Sequence, residues 1–177
     1  MATTSSNKMP LLVDRPLHSY ATVGGTAALN TASKFNDLNS AGCNLLIDCT
    51  SNDGAVIDSI SVIANEATLT AHSVLVFLSV AASKSAISTI NTVCVANGVT
   101  GSTTVGERTN ISLPALSVPV PNLAGPAATM ATYPTEVDKK NTGLYVPSGA
   151  AIYVGVSTAI TSPSGAEVHV FAQGGFF

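Results

Sequence analysis

Tryptophan is absent from this 177-residue chain, and charge is scarce: 7 Lys+Arg and 10 Asp+Glu make up 10% of it, against about 25% in a typical soluble domain. The net charge of −3 leaves no basic stripe to neutralise nucleic-acid phosphates, so no DNA or RNA partner is expected. The one adjacent basic pair, Lys139-Lys140, is preceded by Glu136 and Asp138 and reads as a solvated loop. Long apolar runs are also missing. Val74–Val80 and Ala150–Val156 are the longest, far short of the ~20 residues of a membrane helix. The N-terminal MATTSSNKMPLLVDRP has no apolar stretch behind basic residues, so no secretory signal is expected and synthesis in a cytosol is. Cysteine is rare and odd in number, at three, with no Cys-x-x-Cys. Cys43 and Cys49 lie in one strand candidate, where an extended backbone holds them about 20 Å apart and unable to bridge. Buried free thiols are the expectation.

The constellations that carry catalysis are missing as well. His18, His72 and His169 are scattered, with no His-x-His or His-Glu-x-x-His, and isolated histidines of this kind are usually structural. Asp48, Asp53 and Asp58 surround Gly54 without the acidic spacing of a calcium loop, and turn chemistry accounts for Asp53-Gly54. Gly24-Gly25 is followed by no Gly-Lys-Ser/Thr, Asn110-Ile111-Ser112 is a sequon without a secretory route, and no serine sits in a nucleophile motif. The expectation is a protein with no catalytic residue, metal or cofactor.

What the chain does have is Gly, Ser, Thr, Ala and Val in short alternating runs. The segment Ala55–Val80 organises the rest, with two strand candidates joined by a short polar link. In the second, Val74, Val76 and Leu78 point one way and Leu75 and Phe77 the other, so both faces are apolar and need cover from this chain or another subunit. Asn44–Thr50 reads as a strand with Leu45, Ile47 and Cys49 on one face and Leu46 on the other. Ser51-Asn52-Asp53-Gly54 then leads into Val56–Ala64 in a hairpin-like pair. Val93 and Val95 mark a short strand before Asn97-Gly98. Asn110–Leu116 and Ser117–Val120 are strand-like but cut by prolines, which belongs at an edge. Leu144–Val146, Ala150–Ile160 and Glu167–Gln173 complete the set. Six to nine short strands separated by turn signals, with little helical periodicity, predict an all-β antiparallel sandwich. A jelly roll with Greek-key connections is the specific expectation.

Residues 1–20 read as an N-terminal arm and 21–177 as one sandwich domain. Pro10 and Pro16 bracket the arm's apolar segment, which therefore favours an extended or edge conformation. A segment so short cannot bury Met9, Leu11, Leu12, Val13 and Leu17 against itself, so they are expected to dock on a neighbour. A monomer of this mass exposes on the order of 8,000 Å². Spread over that, the 17 charges leave about one per ~470 Å², near the largest apolar patch a monomer tolerates. Extensive subunit contacts follow, with a homotrimer as the favoured state. Leu75 and Phe77 on the second face of the central strand, and Phe176 and Phe177 at the C-terminus, join the arm as candidate interface residues.

One further pattern concerns order. Thr70-Ala71 leads into Val74-Leu75-Val76-Phe77-Leu78, a proline-interrupted middle follows, then Leu144-Tyr145-Val146-Pro147-Ser148-Gly149, then Val168-His169-Val170-Phe171-Ala172-Gln173-Gly174-Gly175-Phe176-Phe177. Over residues 55–177 this resembles the small β-sandwich structural proteins of tailed bacteriophages. The resemblance implies a virion protein on the capsid surface, made in the host cytoplasm, that binds the major capsid protein as a trimeric decoration or cement protein. A tail-fibre or baseplate module that binds a host receptor or glycan is the alternative. Its aromatic platform would come from Tyr133 and Tyr145, the loop-bordering members of a set completed by Tyr20 and Tyr153.

Overall fold

A computed structural model gives the protein as two antiparallel sheets packed face to face, an all-β sandwich. The structure describes residues 15–24, 43–65, 72–88, 90–100, 104–111, 113, 143–157 and 167–177. In the first sheet β1 (Arg15–Gly24) pairs with β9 (Glu167–Phe176), and β9 pairs with β3 (Gly54–Ala64). The far side of β3 is shared by β6 (Arg108–Ile111) and β7 (Leu144–Pro147), one against each half. The second sheet runs β2 (Cys43–Asp48), β8 (Ala151–Val156), β4 (His72–Ser79) and β5 (Thr92–Thr100).

Alternation decides which side chains meet between the sheets. On β9, Val168, Val170 and Ala172 are buried while His169, Phe171 and Gln173 between them stay partly exposed. On β3 a register shift between Ile57 and Ser59 leaves Asp58 exposed and unpaired with β9, so Ile57 and Ile60 both reach the core although they are three residues apart. Val74 and Val76 of β4 and Ile152, Val154 and Val156 of β8 close the core from the second sheet. Gly54 adopts a φ of +122° at the start of β3, a backbone conformation open to glycine and strained for other residues.

The second apolar face of β4 is covered by this chain itself. Phe77 packs with Cys43, Ala81, Ile87, Ala151 and Tyr153, Leu75 at the margin, in a smaller cluster on the outside of the second sheet. Its lid is the β4–β5 connection, which includes a 3₁₀ turn at Lys84–Ala86. Asn91 holds that connection in shape. Its side-chain amide donates to the Ala86 carbonyl at 2.9 Å, and its Oδ1 accepts from the Ser88 N–H at 2.8 Å. Every residue of β8 is consequently buried, on both faces.

Several expectations are corrected here. Leu17 does not await a neighbour: it is 1% exposed, inside the sandwich on β1. The arm therefore cannot extend to residue 20, because Arg15–Tyr20 pair with Phe171–Phe176 of β9. Pro16 is tolerated because β1 is an edge strand, the conformation expected of the proline-bracketed segment, where a missing N–H costs no ladder bond on the open side. Met9, Leu11, Leu12 and Val13 lie outside the described residues. Phe77 is interior too, at 1% exposure, which removes it from the interface set. Leu75 is half-buried beside it. Phe176 and Phe177 are half-buried and already engaged, Phe176 under the Arg15 guanidinium at 5.4 Å and Phe177 against the Tyr145 ring at 5.8 Å. The hairpin expected of β2 and β3 does not form, because the two strands belong to different sheets. Within β2 a register shift between Leu45 and Ile47 lets Leu46 join Ile47 and Cys49 in the core and turns Leu45 outward, away from the face it was expected to share with them.

Candidate interaction surfaces

Exposed apolar side chains are unevenly placed. Among the described residues, eight large hydrophobics are exposed, and five of them, Val80, Ile90, Val93, Val99 and Val105, come from β5 and the connections flanking it. Between Val80 and Val105 the sequence holds a single charged residue, Lys84. The physical setting explains why this matters: β5 is the last strand of its sheet, paired to β4 on one side and to no described strand on the other. An open strand edge presents unpaired backbone donors and acceptors, and charges or prolines ordinarily discourage other chains from pairing there. β5 has neither in nine residues, TVCVANGVT.

A second surface lies on the outside of the first sheet. Tyr20 on β1 is 70% exposed and its ring lies 6.2 Å from that of His169 on β9. Two residues along each strand, His18 sits 6.1 Å from Phe171. The antiparallel register brings these rings together diagonally, since Tyr20 is directly opposite Phe171 and Thr22 opposite His169. On the β3 side of this ribbon the polar groups are held by one another. Arg108 Nε donates to Ser61 Oγ at 2.7 Å, Ser61 Oγ donates to Asn110 Oδ1 at 3.0 Å, and Asn65 Nδ2 lies 2.8 Å from His169 Nε2. The face is thus a short run of tilted rings beside fixed amide and hydroxyl groups. The sequence named these residues individually, but only the β1–β9 register makes them neighbours.

The remaining titratable groups serve local structure. Asp48 Oδ1 accepts from both the backbone N–H of Thr50 at 2.9 Å and its hydroxyl at 2.6 Å, holding the start of the turn after β2. Asp58 is exposed at the β3 irregularity. His72 is buried on β4 in line with Val74 and Val76, and burial lowers its pKa from the ordinary imidazole value. No group of three or more His, Cys, Asp or Glu among the described residues could hold a metal ion. No helix among them is long and apolar enough to cross a membrane. Tyr145 is 55% exposed on β7 beside Phe177, Tyr153 is buried in the outer cluster, and Tyr133 lies outside the described residues.

All three cysteines are free thiols. Burial pushes Cys43 and Cys49 up to about 11, although Lys84 beside Cys43 acts in the opposite sense and Asp48 beside Cys49 adds to the rise. Cys94 is also raised, by burial against two backbone hydrogen bonds that lower it, yet it stands exposed on the β5 edge. Because the thiolate is the reactive form and must meet the reagent, a maleimide at neutral pH is expected to label Cys94 alone in the native protein. All three should label after denaturation, counted by intact mass. Rapid native labelling of Cys43 or Cys49 would contradict this packing.

Comparison with protein-family models, with curated proteins and with solved structures finds no match to this chain.

Proposed function

We propose that this chain is a non-catalytic structural protein of a multi-subunit particle, acting as a homo-oligomeric decoration or cement protein on the capsid surface of a tailed phage. The observation that carries the structural role is the uncharged, apolar β5 edge and its flanks, a surface suited to protein contact. The phage assignment rests on the resemblance of residues 55–177, and the sandwich is compatible with it. Strand order also favours the jelly-roll reading. With β6 and β7 counted as one strand position, the sheets run first–last–third–sixth and second–seventh–fourth–fifth, the alternation that two interleaved Greek keys generate.

Such a protein stabilises a shell by binding its assembled state, which shifts the disassembly equilibrium by mass action and needs no chemical step. Particles carrying the chain are therefore expected to release their genome at a higher temperature than particles stripped of it. Cryo-electron microscopy of the native particle should place the sandwich on the shell. Equal release temperatures, or density at the tail, would overturn the cement role.

A glycan-binding role is the second reading, and the ring ribbon of His18, Tyr20, His169 and Phe171 favours it. Glycan-array binding that disappears in Tyr20→Ala would transfer the proposal to that reading.

A further inference from the structure

The four edges that the described strands leave open are not alike. β1 carries Arg15 and Pro16. β2 is six residues long, irregular between Leu45 and Ile47, and ends in Asp48. On the third edge, β6 and β7 have four residues each, with Arg108 on one and Pro147 on the other. Each of these carries one of the features that ordinarily prevent strand addition: charge, proline, irregularity or shortness. β5 is nine residues long, without charge or proline. Its one irregularity is the extra residue Val95 between Cys94, paired with Phe77, and Ala96, paired with Val76. From Ala96 to Thr100 the strand runs in unbroken register with β4.

We propose that β5 is a dimerisation edge: two copies of this chain pair their β5 strands antiparallel about a twofold axis, joining two four-stranded sheets into one continuous sheet. The inference rests on the homo-oligomeric reading above and names its contact. Self-pairing follows from the charge pattern. A twofold contact sets the same strand against itself, so any charge on it would approach its own copy; β5 has none to repel. Pairing β5 with a different edge of a neighbour would instead bring Pro16, Asp48, Arg108 or Pro147 against an uncharged backbone edge. An antiparallel edge also offers backbone donors and acceptors in a pattern that its own twofold copy complements.

The expected size of the contact is consistent with a reversible dimer. Nine residues extend about 30 Å, and across the single layer that holds β5, about 10 Å deep, this gives roughly 300 Å² per partner, the range of weak, transient contacts, with backbone hydrogen bonds supplying the specificity. Val93 and Val99, 57% and 52% exposed, would be removed from water together with the edge. Because a twofold contact joins β5 only to another β5, it generates dimers in place of the homotrimer expected from the sequence; a trimer would need a different surface.

The test is the mass of the full chain by light scattering across a dilution series. Twice the 17.8 kDa chain mass is expected at high concentration, falling to one chain on dilution. Val99→Lys should raise the dissociation constant by about tenfold or more, and Val93→Lys with Val99→Lys should leave only monomer. Tyr20→Lys, a change at a still more exposed position on the other sheet, should leave the dimer intact. Both β5 sites are surface positions, and far-UV circular dichroism checks that the variants fold. In the wild-type chain, amide exchange of Ala96–Thr100 should slow as concentration rises, a readout that needs no variant. A dimer unchanged by the lysines, or a trimer of any kind, overturns the β5 contact and leaves the oligomeric reading standing. A wild-type monomer at every concentration overturns both.

Discussion

Gly174→Ala is expected to cost about 3 kcal/mol or more, at or above the top of the usual overpacking range, because backbone itself must move. A Cβ at this position would sit 2.0 Å from the Val56 carbonyl oxygen and 2.9 Å from the Ile57 Cα. Neither atom belongs to a flexible side chain, so only separation of β9 from β3 relieves the clash. That separation occurs in the middle of the first sheet, where β9 is paired to β1 on one side and β3 on the other. The close approach falls where the β3 register with β9 shifts after Ile57, and both strands depend on it for their inward faces. A denaturant titration should show the midpoint falling sharply, or no cooperative transition in the variant. Gly98→Ala is the matched comparison: there the tight contact of the new Cβ is with the Ile111 side chain, at 2.6 Å for Cγ1, and the Ile111 Cα stands at an ordinary 3.5 Å. A side chain can turn aside, and overpacking of this kind costs about 1 to 3 kcal/mol. Equal losses in the two variants would contradict the strand approach described at Gly174.

The difference between these glycines shows where the sequence stops being informative. Gly174-Gly175 is readable as part of a terminal motif, but nothing in its neighbours says that Val56 lies across from it, because that contact joins residues more than a hundred positions apart. The sandwich class was legible because β4, β8 and β9 alternate cleanly or are continuously apolar. β3 was legible as a strand while its faces were not, since the irregularity at Asp58 lets Ile57 and Ile60 share the core in defiance of a two-residue period. β1 is an edge strand, as its prolines allow, but nothing within residues 1–20 says that its partner is β9, at the far end of the chain. The interaction surface was half legible. A near-absence of charge from Val80 to Val105 is plain in the sequence, but only the sheet order makes β5 an edge. The ring ribbon of Tyr20 and His169 is likewise a product of strand pairing between the two ends of the chain.

Phe77→Ala is expected to destabilise the chain by about 3 to 5 kcal/mol, the usual cost of emptying a buried aromatic site. Against a total stability of about 5 to 15 kcal/mol for a domain, that leaves little margin. Phe77 is 1% exposed, and the walls around it have little freedom to collapse. Ala151 and Tyr153 sit on β8, which is paired on both sides. Ala81 and Ile87 belong to the β4–β5 connection, closed by the Val80 N–H to the Asn91 carbonyl at 3.0 Å and by the two Asn91 side-chain bonds. The void should therefore persist, and the loss should appear as a lower denaturant midpoint at unchanged slope. Concentration separates this account from an interface role. If Phe77 were a subunit contact, its loss would weaken association and the deficit would vanish in dilute monomer. If it supports the chain's own cover, the deficit is intrinsic, so the midpoint difference between variant and parent should be the same in dilute and concentrated samples. Leu75→Ala, at the margin of the same cluster, should show the same independence with a smaller loss, because its half-exposed side chain buries less apolar area. A Phe77 deficit that fades on dilution would return the outer face of β4 to the set of subunit contacts and make the β4–β5 connection a poor candidate for its lid.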